Sequence, residues 1–121
     1  MFVNKKANPK TTVPKQGDVI WVDMDEEDTL GHEEQKKRPV LVISNDQYNS
    51  ICNGLVKVVP ITTTDNEFPY HVDIPDGAKV HGKLMLQQER VIDAIARDYE
   101  YSCHLSDGFV KKIIEMLLTS Y

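Results

Sequence analysis

A charged stretch that runs without a break into an apolar one constrains this chain more than any other feature. Residues 31–37 read Gly-His-Glu-Glu-Gln-Lys-Lys, and Arg38-Pro39-Val40-Leu41-Val42-Ile43-Ser44 follows at once. The second half is a strand, because it is short, aliphatic and rich in β-branched residues. Pro39 has no N–H to give a ladder, so it belongs at the strand's start or on an edge. Arg38 then sits at the mouth of a rigid element. A single strand-end Arg is ordinarily a solvated charge. A strand nevertheless holds its backbone still, and a cation at its mouth can be aimed at a ligand.

The rest of the chain repeats this theme. Gly17 starts Asp18-Val19-Ile20-Trp21-Val22-Asp23, nearly continuous in apolar residues, as in a strand buried on both faces. Residues 23–37 have no apolar period and form an acidic loop of about 14 residues, long enough to be functional or disordered. Residues 45–50 read as a turn or one helical turn, and Asn53-Gly54 is a hairpin signal. Further strands are expected over 55–62, 70–74, 83–88 and 90–95, with a turn at Pro75-Asp76-Gly77 and a break at Glu89. From Leu105 the period becomes helical. Ser106 can cap, and Phe109, Val110, Ile113, Ile114, Met116, Leu117 and Leu118 fall mostly on one face of a helix of about 12 to 14 residues. Short strands closed by one helix predict a mainly β fold, a small, strongly bent antiparallel barrel with a C-terminal helix. The pattern alone leaves SH3-like and OB-type barrels open.

With 121 residues the chain has room for one core. The division expected is a mobile N-terminal arm over 1–16 and a barrel domain over 17–121. No apolar run approaches the roughly 20 residues of a membrane span. Residues 1–16 lack the apolar core of a signal peptide, so a cytoplasmic location is expected. Cys52 and Cys103 are expected to be reduced thiols.

Charge is uneven. Four lysines and no acid precede Gly17, so the remainder carries 10 bases against 19 acids, a net −9 within the chain's −5. Seven of the acids are Asp23, Asp25, Glu26, Glu27, Asp28, Glu33 and Glu34. Composition alone therefore speaks against a nucleic-acid binder. No glycine-rich phosphate loop or Cys-x-x-Cys is present. His32-Glu33-Glu34-Gln35-Lys36 starts like a zinc-hydrolase motif but has Lys36 where the second histidine must stand. No metal or other cofactor is expected. His71, His81 and His104 are scattered, and each reads as a surface or turn residue.

Four segments, in order, resemble the MazF/PemK/Kid family of toxin endoribonucleases. They are Gly17 to Asp23, Gly31-His32-Glu33 through Arg38-Pro39-Val40-Leu41-Val42-Ile43, Val58-Val59-Pro60-Ile61-Thr62, and Gln88-x-Arg90-Val91-Ile92-Asp93. The resemblance covers most of the chain from Gly17 on. It implies an SH3-like barrel, a homodimer, a cognate antitoxin and cleavage of single-stranded RNA. It also implies Arg38 and Thr62 as the central catalytic pair, with His32 and Glu33 supporting them from the loop and Gln88 touching substrate. Some members carry an Arg and an Asp as acid and base near this Gln. Met85 and Gln87 stand there in this chain and cannot transfer protons, which favours the Arg/Thr arrangement. A different class, a CcdB-like toxin that poisons a protein such as gyrase without an active site, shares this barrel type.

The chemistry can be stated on its own terms. Metal-free RNA cleavage uses the neighbouring 2′-OH as nucleophile, and the phosphorane gains negative charge. A fixed Arg lowers that barrier, and its planar fork can hold two phosphate oxygens. A Thr hydroxyl can bond a third oxygen. Neither is a base, for which Glu33 and His32 are the candidates. The acidic balance is offset only if folding gathers Lys36, Lys37 and Arg38 with Lys57, Lys83 and Arg90 into one patch. Lys36, Lys37, Gln88 and Arg90 are the RNA-binding residues expected. Unpaired RNA is the expected target, because its bases can be splayed and read.

Overall fold

The computed structural model describes residues 12–24, 37–64 and 67–121. The elements are β1 (Asp18–Asp23), β2 (Lys37–Val42), α1 (Asp46–Ile51), β3 (Leu55–Thr62), β4 (His71–Asp73), β5 (Lys83–Met85), a 3-10 turn over Leu86–Gln88, β6 (Arg90–Asp93), β7 (Glu100–His104) and α2 (Asp107–Leu118). One antiparallel sheet runs β4-β5-β3-β2-β1-β7, with β6 also paired to β3. Among the described residues the sheet bends but does not close.

The near-continuous apolar runs bury both faces. On one face Val19, Leu41, Val59 and Ile61 meet Val110, Ile113 and Leu117 of α2. On the other, Ile20, Val22, Val40, Val42, Val56 and Val58 pack with Ile92 and Tyr99. Adjacent residues of one strand thus enter different cores, and neither β1 nor β2 can slip by one residue without exchanging the two sets. The helix forms where the change of period places it. The Ser106 hydroxyl accepts from Phe109 N at 3.3 Å, and every third or fourth residue is buried.

Five expectations shift. β5 stops at Met85 instead of Gln88. β3 advances three residues from Val58 to Ile61 while its partner advances six from Leu84 to Arg90. The surplus residues go into the 3-10 turn, which keeps Leu86 in the core. β6 ends at Asp93, where the chain turns, and β4 holds only three residues. Strand β7 was not foreseen. Ser102 is its one buried residue, so it lacks the apolar alternation that marks a strand, and it exists because the edge of β1 is open to it. Residues 12–16, assigned above to the arm, are tied down. Asn49 Nδ2 donates to Pro14 O at 3.0 Å, Tyr99 Oη to Thr12 O at 2.7 Å, and Gln16 Nε2 to Ile43 O at 2.7 Å.

A polar staple joins β1, β7 and α2. His104 Nδ1 lies 2.9 Å from the buried Asp18 carboxylate, whose second oxygen accepts from Lys15 N at 2.9 Å. Asp107 lies 3.5 Å from Nε2. The hydrogen bond to Asp18 raises the His104 pKa above its ordinary value; partial burial opposes this and Asp107 adds to it. A raised folded-state pKa contributes stability that is fully present below the unfolded value of about 6.5 and is lost as pH rises through the folded one. His104→Gln should therefore lower the melting temperature more at about pH 5.5 than at about pH 9. Equal losses at both values, read by thermal unfolding, would show that the ion pair contributes nothing.

Candidate active site

Two prolines open the sheet. The β2–β3 ladder runs Val42–Val58, Leu41–Val59, Val40–Pro60 and stops. Neither Pro39 nor Pro60 has an N–H to extend it, so the strands part there. Past that rung β3 pairs with its other neighbour β5, Ile61 with Leu84 and Thr62 with Lys83. The result is a cleft of about 770 Å³ floored by Pro39, Pro60 and Ile61. Carried two residues past its last rung, the β2–β3 register sets Arg38 against Thr62, and both line the cleft.

Arg38 is exposed, and among the described residues no hydrogen bond or ion pair commits its guanidinium. Thr62 Oγ1 accepts from Thr64 N at 3.1 Å. That bond uses a lone pair and leaves the hydroxyl proton free to donate. Gln88 enters from the 3-10 turn and Arg90 from the start of β6, and Trp21 and Met24 from the end of β1. Lys37 also lines the cleft, but its ammonium bonds Glu100 Oε2 at 3.2 Å and Asp98 O at 3.1 Å. The fold thus gathers Lys37, Arg38, Thr62, Gln88 and Arg90. His32, Glu33 and Lys36 lie outside the described residues.

The positive patch differs from the expected one. Lys57 sits over the Tyr48 ring at 5.4 Å and does not line the cleft, and Lys83 is paired with Asp73 at 3.0 Å. In their place comes Lys79, with His81 beside it, from the segment before β5. Neither was singled out in the sequence as a site residue. The available signal was Gly82, which has φ +124°. A Cβ built there would lie 2.3 Å from Thr62 O, so only glycine lets this segment press against the end of β3. Among the described lining residues the charged groups are Lys37, Arg38, Lys79 and Arg90, with no carboxylate. The cleft is cationic inside an acidic protein, and such a surface suits a phosphate and repels a divalent cation.

The other two histidines of the described region have different surroundings. His104 belongs to the staple. His71 stacks at a tilt on Phe68, 5.3 Å between ring centres, and its Nε2 lies 3.0 Å from Gln87 Nε2.

Residues 15–121 match the family described as PemK-like, MazF-like toxin of type II toxin-antitoxin system. The chain is 36% identical over 85 residues to the endoribonuclease toxin MazF of Escherichia coli K12, covering 70% of this chain and 73% of that protein. It is 32% identical over 114 residues to the endoribonuclease EndoA of Bacillus subtilis 168, covering 89% and 94%. Among solved structures it resembles MazF in the MazE-MazF crystal structure (Form-II) from Deinococcus radiodurans. The TM-score is 0.78 and the identity 26%, with 90% of this chain and 96% of that one covered.

Gly82→Ala tests the packing that shapes the cleft wall. It combines an unfavourable φ with a backbone clash, and a loss of roughly 1–3 kcal/mol is expected by urea denaturation. An unchanged midpoint would show that residues 79–82 do not rest on β3.

Proposed function

Because the chain belongs to the PemK-like, MazF-like toxin family of type II toxin–antitoxin systems, we propose how its cleft performs the cleavage. The protein is an endoribonuclease toxin. Its substrate is single-stranded RNA, cut at selected sequences without a metal. The 2′-OH attacks the adjacent phosphorus, the 5′-oxygen leaves, and a 2′,3′-cyclic phosphate remains.

The observation that carries this reading is that Arg38 and Thr62, from the diverging ends of β2 and β3, line one cationic cleft. Arg38 faces the scissile phosphate, and its fork holds two non-bridging oxygens as their charge grows. Thr62, its oxygen already held by Thr64 N, donates to a phosphate oxygen. Gln88, Arg90, Lys36 and Lys37 contact the RNA on either side, with His32 and Glu33 supporting them from the loop. A CcdB-like binder without an active site is not favoured, since the curated relatives are endoribonucleases.

The regulatory partner is a cognate antitoxin protein. MazE accompanies MazF in the Deinococcus structure, and capture of this toxin's active site by such a protein fits the same cationic groove. The working form is a homodimer in the cytoplasm. Exposed apolar side chains such as Leu118 and Val91, 61% and 48% exposed, gain from being covered.

Purified protein should cut single-stranded RNA in EDTA and leave cyclic-phosphate ends. Activity that disappears with chelation, or 3′-hydroxyl products, would overturn the mechanism. Arg38→Ala should lower the rate about 10²- to 10³-fold with little loss of stability. Thr62→Ala should also slow it strongly, and the two losses should combine less than additively because both act on one phosphate. Near-normal turnover by Arg38→Ala would refute the assignment. Sedimentation at tens of micromolar, roughly where a weak interface already associates, should show a dimer, and a monomer there would contradict it.

A further inference from the structure

We propose that His81 is the general base of the cleavage, taking the proton of the attacking 2′-OH. The inference rests on the endoribonuclease reading above and adds the group that reading leaves unassigned within the described structure.

Attack by a 2′-OH needs a proton acceptor, and the developing charge on phosphorus and on the leaving oxygen needs donors. Donors are plentiful: Lys37, Arg38, Lys79, Arg90, the Thr62 hydroxyl and the Gln88 amide. Acceptors of usable basicity are scarce. Met85 and Gln87, the positions at which an acid and base would stand in some relatives, cannot accept a proton, and no carboxylate lines the wall among the described residues. Imidazole is the side chain whose ordinary titration falls near neutral pH. His81 is the one imidazole among the described lining residues.

Placement agrees with this role. Gly82 presses the backbone of this segment onto Thr62, which fixes His81 just past the end of β3, on the wall that carries Thr62 and Thr64. Thr62 pairs with Lys83, so the same register extended by two sets His81 beside Thr64. The ring is exposed, and among the described residues no hydrogen bond or ion pair occupies its nitrogens. His104, held by Asp18, and His71, stacked on Phe68, are already engaged.

The step balances without another reagent than water. The O2′–P bond forms and the P–O5′ bond breaks. The 2′-OH proton passes to an imidazole nitrogen of His81, the leaving 5′-oxygen takes a proton from water, and the imidazolium returns its proton to solvent. The products are a 2′,3′-cyclic phosphate and a 5′-hydroxyl.

The test uses a short RNA spanning a cleavage site first mapped on a long single-stranded RNA. His81→Gln should lower kcat about 10²- to 10⁴-fold while leaving the Kd for the 2′-deoxy version of that RNA unchanged. The rising limb of kcat/KM against pH should vanish. Charged groups facing His81 are Lys37, Arg38, Lys79 and Arg90 on the cleft side, with Asp73, Asp76 and Lys83 lining a smaller hollow behind it. All of these remain in the variant, so a lost limb belongs to the imidazole. A substrate with sulfur in place of O5′, whose departure needs no acid, should leave the His81→Gln defect in place. Added imidazole should partly restore His81→Ala, which separates lost chemistry from lost fold. The proposal is overturned by a His81→Gln rate within about threefold of the parent, by a retained limb, by recovery on the sulfur substrate, or by loss of the limb in Glu33→Gln alone. If Arg38→Ala also cleaves normally, the endoribonuclease mechanism itself has failed. If Arg38→Ala is inactive while His81→Gln is not, only the assignment of His81 falls.

Discussion

The last rung of the β2–β3 ladder, Val40 against Pro60, decides where this protein has a site. Up to that rung two aliphatic strands are fully paired and buried on both faces. Beyond it the two prolines have no N–H to donate, and β3 is paired with β5. A rigid sheet that forks holds the backbones of Arg38 and Thr62 still while their side chains face an open space. Preorganisation of this kind is what an electrostatic catalyst requires, because donors need not reorganise when charge develops. The β5–3-10–β6 segment serves the same end. Its surplus residues are excluded from the ladder, and Gln88 emerges at the turn with Arg90 just after it on the cleft wall.

The net charge of the chain and the charge of its cleft have opposite signs, and the distances explain how both can hold. Screening at ordinary salt limits an exposed charge to about 10 Å. Within the cleft a ligand meets Arg38, Lys79 and Arg90. Lys37 is partly neutralised by Glu100 and Lys83 by Asp73, and both exposed pairs contribute little to stability. Among the described residues an acidic protein thus carries a focused positive groove. That favours a ligand whose phosphate enters the groove over one that lies along the whole surface.

How legible this was depended on whether a signal was local. The strands over 18–23 and 55–62, and the helix from Ser106, were readable because burial on both faces or at helical spacing leaves an apolar pattern. Strand β7 was not, because it is made by the edge it fills and buries only Ser102. Arg38, Thr62, Gln88 and Arg90 could be named in advance from a motif resemblance, but that they share one cleft is a property of register. Lys79 and His81 had no such pointer. Their approach to Thr62 depends on one glycine with a left-handed φ, and a lone Gly in a loop is too common to stand out.

The described histidines show how one residue type acquires different roles from its surroundings. His104 is held by the buried Asp18 carboxylate, which favours its charged form and ties β7 to β1. His71, the first residue of β4, packs against Phe68 and meets Gln87 through Nε2, while its buried Nδ1 finds no partner among the described residues. Among the described residues His81 has neither a carboxylate bonded to its ring nor an aromatic ring stacked on it, and it lines both the cleft and the smaller hollow. A ring that contributes nothing to packing and holds no internal bond is kept from drifting only by its backbone, here by the contact of Gly82 with Thr62. Backbone fixation with an unoccupied side chain is also the condition of Arg38 on β2. The cleft lining therefore presents two groups that no other described residue engages, one a permanent donor and the other able to accept a proton, beside the fork that the prolines create.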